Sequence, residues 1–158
     1  MKRIKQVDKL VWRGSHPITD EDFLELQAKG IKLIINLESG LWERFKGDIN
    51  YEVELAAKYD IPVIHLHMNY FMPPKKHELE TALLLIKSCT DKSKGVYFHC
   101  YSGVDRTGAV AAAYRVKVQE FSVDEAMDEM IFEGHQWILQ WWDGITRKNL
   151  EAIQKEKK

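Results

Sequence analysis

With 158 residues, 45% of them hydrophobic and 30% charged, the chain is long enough to bury one sizeable core and has an ordinary globular composition. A formal net charge of −1 excludes the basic excess of a nucleic-acid binder, and two cysteines, Cys89 and Cys100, are too few for a disulfide framework. Met1 to Asp8 is basic but precedes no long apolar stretch, so neither a signal peptide nor a membrane span is expected, and a cytoplasmic monomer is the default.

Leu10 to Arg13 reads as a first strand, closed by Gly14-Ser15-His16-Pro17. Thr19 or Asp20 caps a helix that carries Phe23, Leu24 and Leu26 and stops at Gly30. Ile31 to Leu37 is nearly all apolar, the pattern of a strand buried on both faces. Leu41 to Gly47, with Trp42, Arg44 and Lys46, reads as a loop. Tyr51 to Tyr59 reads as a helix facing inward through Leu55, Ala56 and Tyr59. Ile61 to His67 is the next strand, Met68 to Pro74 its following loop, and His77 to Cys89 an amphipathic helix through Leu79, Leu83 and Ile86.

Gly95 to Phe98 then reads as a short buried strand and Gly108 to Arg115 as a helix. Further on, Ser122 caps a helix through Ala126, Met127 and Met130, with Glu125 at the capping-box position and Gly134 as its stop. A Trp-rich helix follows from about His135, with Trp137, Trp141 and Trp142 docking it on the core, and the Lys-rich tail after Ile153 is expected to fray. Strand and helix alternate through four pairs before the extra helices. The expected fold is a single α/β domain over 1–158 with a central, largely parallel sheet of four to five strands flanked by helices.

The chemistry gathers in His99-Cys100-Tyr101-Ser102-Gly103-Val104-Asp105-Arg106-Thr107-Gly108. Cys100 stands where a strand ends and Arg106 where a helix begins. The five residues between them suffice for a loop whose backbone N–H groups converge on one point, a nest suited to a phosphate-like anion. The positive end of the helix favours an ionised, nucleophilic thiol at Cys100. Arg106 offers a planar, permanently charged fork for two oxygens of one phosphoryl group.

His-Cys-x-x-Gly-x-x-Arg-Thr-Gly resembles the signature loop of the cysteine-dependent protein tyrosine and dual-specificity phosphatases. The resemblance implies a phosphomonoesterase without metal or organic cofactor, acting through a phosphocysteine intermediate. It implies Cys100 as nucleophile, Arg106 as phosphate clamp, Thr107 as hydrogen-bond donor to the Cys100 sulfur, Gly103 as the sharp bend, and His99 as a brace behind the loop. Tyr101, Ser102, Gly103, Val104, Asp105 and Arg106 would surround the phosphate. Trp12-Arg13-Gly14-Ser15-His16-Pro17 with the later Gly30 to Leu37 is similar to the opening of small bacterial and fungal dual-specificity-like phosphatases, including relatives that act on inositol phosphates. Those relatives often carry Arg after the Asn-Leu, where this chain has Glu38.

The second departure concerns the acid that protonates the leaving oxygen. Most relatives supply an Asp from the loop that here reads Met68 to Pro74, which holds no carboxylate; Asn69 stands about where the Asp is expected. Asp105 is the best replacement, with His67 a weaker one, and an acid-free reaction on good leaving groups is the third option. Lys75 and Lys76 lie beside the expected site and could bind further substrate charge. Gln136 is a candidate for positioning water. Cys89 reads as a buried structural thiol rather than a resolving partner, and His65 and His67 as ordinary strand residues rather than metal ligands. The substrate class stays open between phosphotyrosine or phosphoprotein and inositol polyphosphates. The absence of lysines from the loop argues against a highly anionic head group. The alternative is a phosphate-binding pseudophosphatase, which Asn69 favours and an intact Cys100, Arg106 and Thr107 oppose; arsenate reductases and sulfurtransferases fit poorly.

Overall fold

The computed structural model describes residues 1, 3–39, 49–135 and 140–156. In chain order the elements are β1 (Lys5–Asp8), β2 (Val11–Gly14), α1 (Asp20–Ala28), β3 (Ile31–Asn36), α2 (Ile49–Ala57), β4 (Val63–His65), α3 (Lys76–Thr90), β5 (Gly95–His99), α4 (Asp105–Lys117), α5 (Val123–Phe132) and α6 (Gln140–Lys155). The sheet order is β1-β2-β5-β3-β4, with β2, β5, β3 and β4 parallel and β1 antiparallel on β2. The mixed α/β fold with its largely parallel sheet is the expected one.

The centre of the sheet follows from the sequence. All five residues of β5 are buried, as a strand paired on both sides and covered on both faces requires. Its side chains alternate between two cores. Val96 and Phe98 pack with residues of α3, α4, α5 and α6, while Tyr97 packs with Phe23, Leu26, Leu55 and Ala56 of α1 and α2. Each fully buried side chain of this size contributes about 1.5–3 kcal/mol. Thr19 caps α1 through a reciprocal capping box with Asp22. Ser122 caps α5, its hydroxyl accepting from the Glu125 N–H at 3.1 Å.

Several elements differ from expectation, α2 running over Ile49–Ala57 rather than Tyr51 to Tyr59. β1 is an added edge strand. β4 shortens to the three residues Val63–His65 at the other edge. α4 begins at Asp105 rather than Gly108, which brings Asp105 and Arg106 into its first turn. α6 begins at Gln140, leaves His135 outside it, and runs through Lys155 rather than fraying after Ile153. No helix among the described residues is long and apolar enough to cross a membrane. The loop of Trp42, Arg44 and Lys46, and Gln136 with Trp137, lie outside the described residues.

Candidate active site

Parallel strands point their carboxyl ends to one edge of the sheet, where α/β folds bind ligands. Here β2 ends at Gly14, β3 at Asn36 and β5 at His99, and the loop from Cys100 to Val104 rises from that edge. Gly103 has φ +78°, and a Cβ added there would sit 2.6 Å from the Gly14 carbonyl carbon and oxygen. Only glycine allows both the left-handed bend and so close an approach. The loop is further tied to the end of β2: the His16 N–H donates to the Tyr101 carbonyl at 3.1 Å, and the buried Arg13 guanidinium donates to the Gly103 carbonyl at 3.0 Å.

Behind the loop, His99 is fully buried with Nδ1 2.9 Å from the Cys100 carbonyl and Nε2 3.0 Å from Glu52 Oε1. Burial by itself would push this imidazole down. The charge and hydrogen bond of Glu52, with Glu38 beyond, outweigh it and raise its pKa to about 9. Both ring nitrogens therefore donate at neutral pH. Glu52 also accepts from Asn36 Nδ2 at 3.3 Å, and His16 Nδ1 lies 2.8 Å from Glu38 Oε2. Burial pushes the Glu38 carboxyl up, but the His16 hydrogen bond and the His99 charge bring it below the usual range. Glu38, in place of the Arg of relatives, thus turns inward onto His16. The ligand atoms of His16, Glu38, Glu52 and His99 lie within 4.8 Å of one another, the spacing of a metal cluster. In this structure the four side chains hydrogen-bond one another, and through His99 they support the loop at the Cys100 carbonyl. Sequence reasoning gave His99 a supporting role and noted Glu38 and His16 without one; Glu52 carried no signal.

A cavity of about 550 Å³ opens over the loop. Cys100 and Arg106, 2% and 4% exposed, form its buried end, and the exposed Ser102 also lines it. Tyr70, Phe71, Tyr101, Trp141 and Trp142 wall it, and Asp105 stands at its side with Met72 at the mouth. The Arg106 guanidinium lies 5.1 Å from the centre of the Tyr70 ring, a cation–π distance. Gly103 and Val104 shape the loop from outside this lining. The Thr107 hydroxyl is buried without a hydrogen-bond partner, so the bond to the Cys100 sulfur is not made in this conformation.

Lys75 and Lys76 line a neighbouring cavity of about 630 Å³ with His67 and Asn69, separated from the first by Met72, which contributes to both. Lys76 is paired there with Glu80 and Glu156. The Asn69 side-chain oxygen accepts from the Phe71 and Met72 N–H groups at 2.7 and 3.1 Å, which makes it a turn former. His65 and His67 point their rings at the Glu38 and Ser39 carbonyls. Of the acid candidates, only Asp105 reaches the cavity of Cys100. Cys89 sits on α3 in the core, where burial pushes its thiol up. A feature that sequence reasoning missed adjoins Asp105: its Oδ1 lies 2.6 Å from His135 Nδ1, and His135 Nε2 bonds Asp143.

A cysteine and an arginine buried together at the two ends of such a loop, on this fold, define a cysteine-dependent phosphatase. The chain belongs to the Tc-R-P family, the DSP-PTPase phosphatases of polymorphic toxin systems, whose model matches residues 9–120. Its fold is that of several solved phosphatases. The active form of Tk-PTP is 19% identical at a TM-score of 0.76, over 98% of this chain and 97% of that one. The core catalytic domain of the PP-IP phosphatase SIW14 from S. cerevisiae is 18% identical at 0.76, over 99% and 88%. TpbA from P. aeruginosa is 18% identical at 0.72, over 98% and 90%. No curated protein sequence matches significantly.

Proposed function

We propose that this phosphatase hydrolyses aryl phosphomonoesters of the phosphotyrosine type through a phosphocysteine intermediate, without a metal. The observation that carries the reading is the joint burial of Cys100 and Arg106 at the end of a cavity whose walls are aromatic and whose described lining contains no cation other than Arg106. The aromatic walls match a phenyl ring, while one arginine and the loop N–H groups match a single phosphoryl group. A complex of TpbA with phosphotyrosine supports the choice by analogy of fold.

The Cys100 sulfur attacks phosphorus as the ester P–O bond breaks, and Arg106 holds the equatorial oxygens. Asp105, half-exposed on the cavity side, passes a proton to the leaving oxygen. Water then attacks phosphorus, the S–P bond breaks, and Asp105 takes up the water's proton. The buried Thr107 hydroxyl supplies a donor to the departing sulfur. The neighbouring cavity with Lys75 and Lys76 favours a second reading, in which an inositol polyphosphate spans both, as the SIW14 fold suggests.

The deciding experiment is hydrolysis of 4-nitrophenyl phosphate in EDTA by wild type and Cys100→Ser, followed by a phosphotyrosine peptide against inositol hexakisphosphate. Activity that survives chelation, vanishes in the variant and favours the peptide by roughly tenfold or more is expected. An inactive wild type would overturn the reading in favour of a phosphate-binding protein, and a preference for the inositol ester would replace the substrate class.

A further inference from the structure

We infer that Asp105, His135 and Asp143 form a proton relay, in which His135 is the positioning residue that holds the proton Asp105 delivers. The inference rests on the assignment of Asp105 as the acid. It begins from a requirement of that assignment. Asp105 lies in the first turn of α4 beside Arg106, and a general acid must have a proton within reach at the moment the ester bond breaks.

His135 meets the requirement. It is 2% exposed, with its ring 4.7 Å from that of Trp142, and each ring nitrogen meets a carboxylate: Nδ1 faces Asp105 Oδ1 at 2.6 Å and Nε2 faces Asp143. Two carboxylates on opposite nitrogens are both satisfied only by an imidazolium. Burial opposes that charge, yet the hydrogen bonds and charges of Asp105 and Asp143 keep the ring above the ordinary histidine value. The charged groups that face it are Asp105 of α4 and Asp143 of α6. On the adjoining turn, Arg3 is engaged by the Glu133 carbonyl and Lys5 by the Glu133 carboxylate.

The proton balance closes. At rest the proton sits on His135 Nδ1 and Asp105 is a carboxylate. As the ester bond breaks, the Nδ1 proton passes to Asp105 and the same proton goes on from Asp105 to the leaving oxygen, which leaves Asp105 a carboxylate and His135 the neutral Nε2–H tautomer still bonded to Asp143. When water attacks the phosphocysteine, its proton returns to Asp105 and on to His135. The three residues come from α4, the turn after α5, and α6, and a tie between helices alone would need no titratable ring.

The test is the ratio of kcat/KM for phenyl phosphate, a poor leaving group, to that for 4-nitrophenyl phosphate, a good one, followed against pH. Substrate and thiol ionisation largely cancel in the ratio and the acid remains. In wild type the ratio should hold to beyond the ordinary histidine range and then fall. In His135→Asn, which keeps a donor toward Asp105 but cannot titrate, the fall should begin about two pH units lower, toward the carboxylate range. Asp143→Asn should move it in the same direction by less. A fall at the wild-type position in His135→Asn would overturn the relay; should that variant not fold, Asp143→Asn decides by the same criterion. Asp105→Asn separates the two readings. If it leaves the ratio at its wild-type value, the acid assignment fails; if it collapses the ratio while His135→Asn does not shift it, the relay alone fails.

Discussion

Glu52→Gln should remove the charge that keeps a buried histidine protonated behind the signature loop. His99 is fully buried; burial by itself would lower its pKa, yet it is raised from 6.5 to about 9, with Glu52 the strongest attractive partner. That rise corresponds to about 3 kcal/mol of folding stability. Its sign follows from the direction. A raised folded-state value means the stability is fully present below pH 6.5 and is lost as pH climbs through 9. Glu52→Gln should therefore unfold roughly 6–12 °C below wild type at pH 6, for a chain of this size, and the gap should narrow toward pH 9.5. The measurement is the melting temperature of both proteins at half-unit steps of pH. Because titrations common to both cancel in the difference, a gap that stays constant across pH 6 to 9.5 would refute the argument that a buried charge pair supports the loop. Activity should fall alongside, since His99 donates to the Cys100 carbonyl and orients the loop.

Arg106→Lys keeps a positive charge but loses the planar fork, and turnover of 4-nitrophenyl phosphate should fall by about a hundredfold or more while the melting temperature changes little. Gly103→Ala places a Cβ 2.6 Å from the Gly14 backbone at φ +78°, so the loop must shift; a protein that folds but has lost phosphate affinity is expected by isothermal titration with inorganic phosphate. Asn69→Asp should not restore an acid, because two backbone N–H groups would hold the new carboxylate ionised, away from the Cys100 cavity; phenyl phosphate turnover should stay within about twofold of wild type, and a large rise would show that the turn opens onto the site.

Much of the fold was legible because its signals are local. Apolar runs marked β3 and β5, Thr19 and Ser122 marked helix starts, and Gly30 and Gly134 marked stops, both with positive φ. β1 escaped because Lys5-Gln6-Val7-Asp8 holds one apolar residue and forms only by pairing at the edge of β2. The apolar run marks α4 only from Gly108, whereas the helix already includes Asp105, Arg106 and Thr107. Lys75 and Lys76 lie near the site in sequence and end in a separate cavity, since Met72 stands between the two.

The strand, the loop after it, and the placement of Cys100 and Arg106 at the loop's two ends were determined by contiguous residues, for a strand–loop–helix junction needs nothing from afar. The tertiary structure alone decided what surrounds that loop. The aromatic walls come from Tyr70, Phe71, Tyr101, Trp141 and Trp142, the imidazolium support from His16, Glu38, Glu52 and His99, and the proposed proton relay from Asp105, His135 and Asp143. In each case the partners lie on different elements, and only the packing of helices onto both faces of the sheet brings them together; for His16, Glu38, Glu52 and His99 it also removes the water that would screen them.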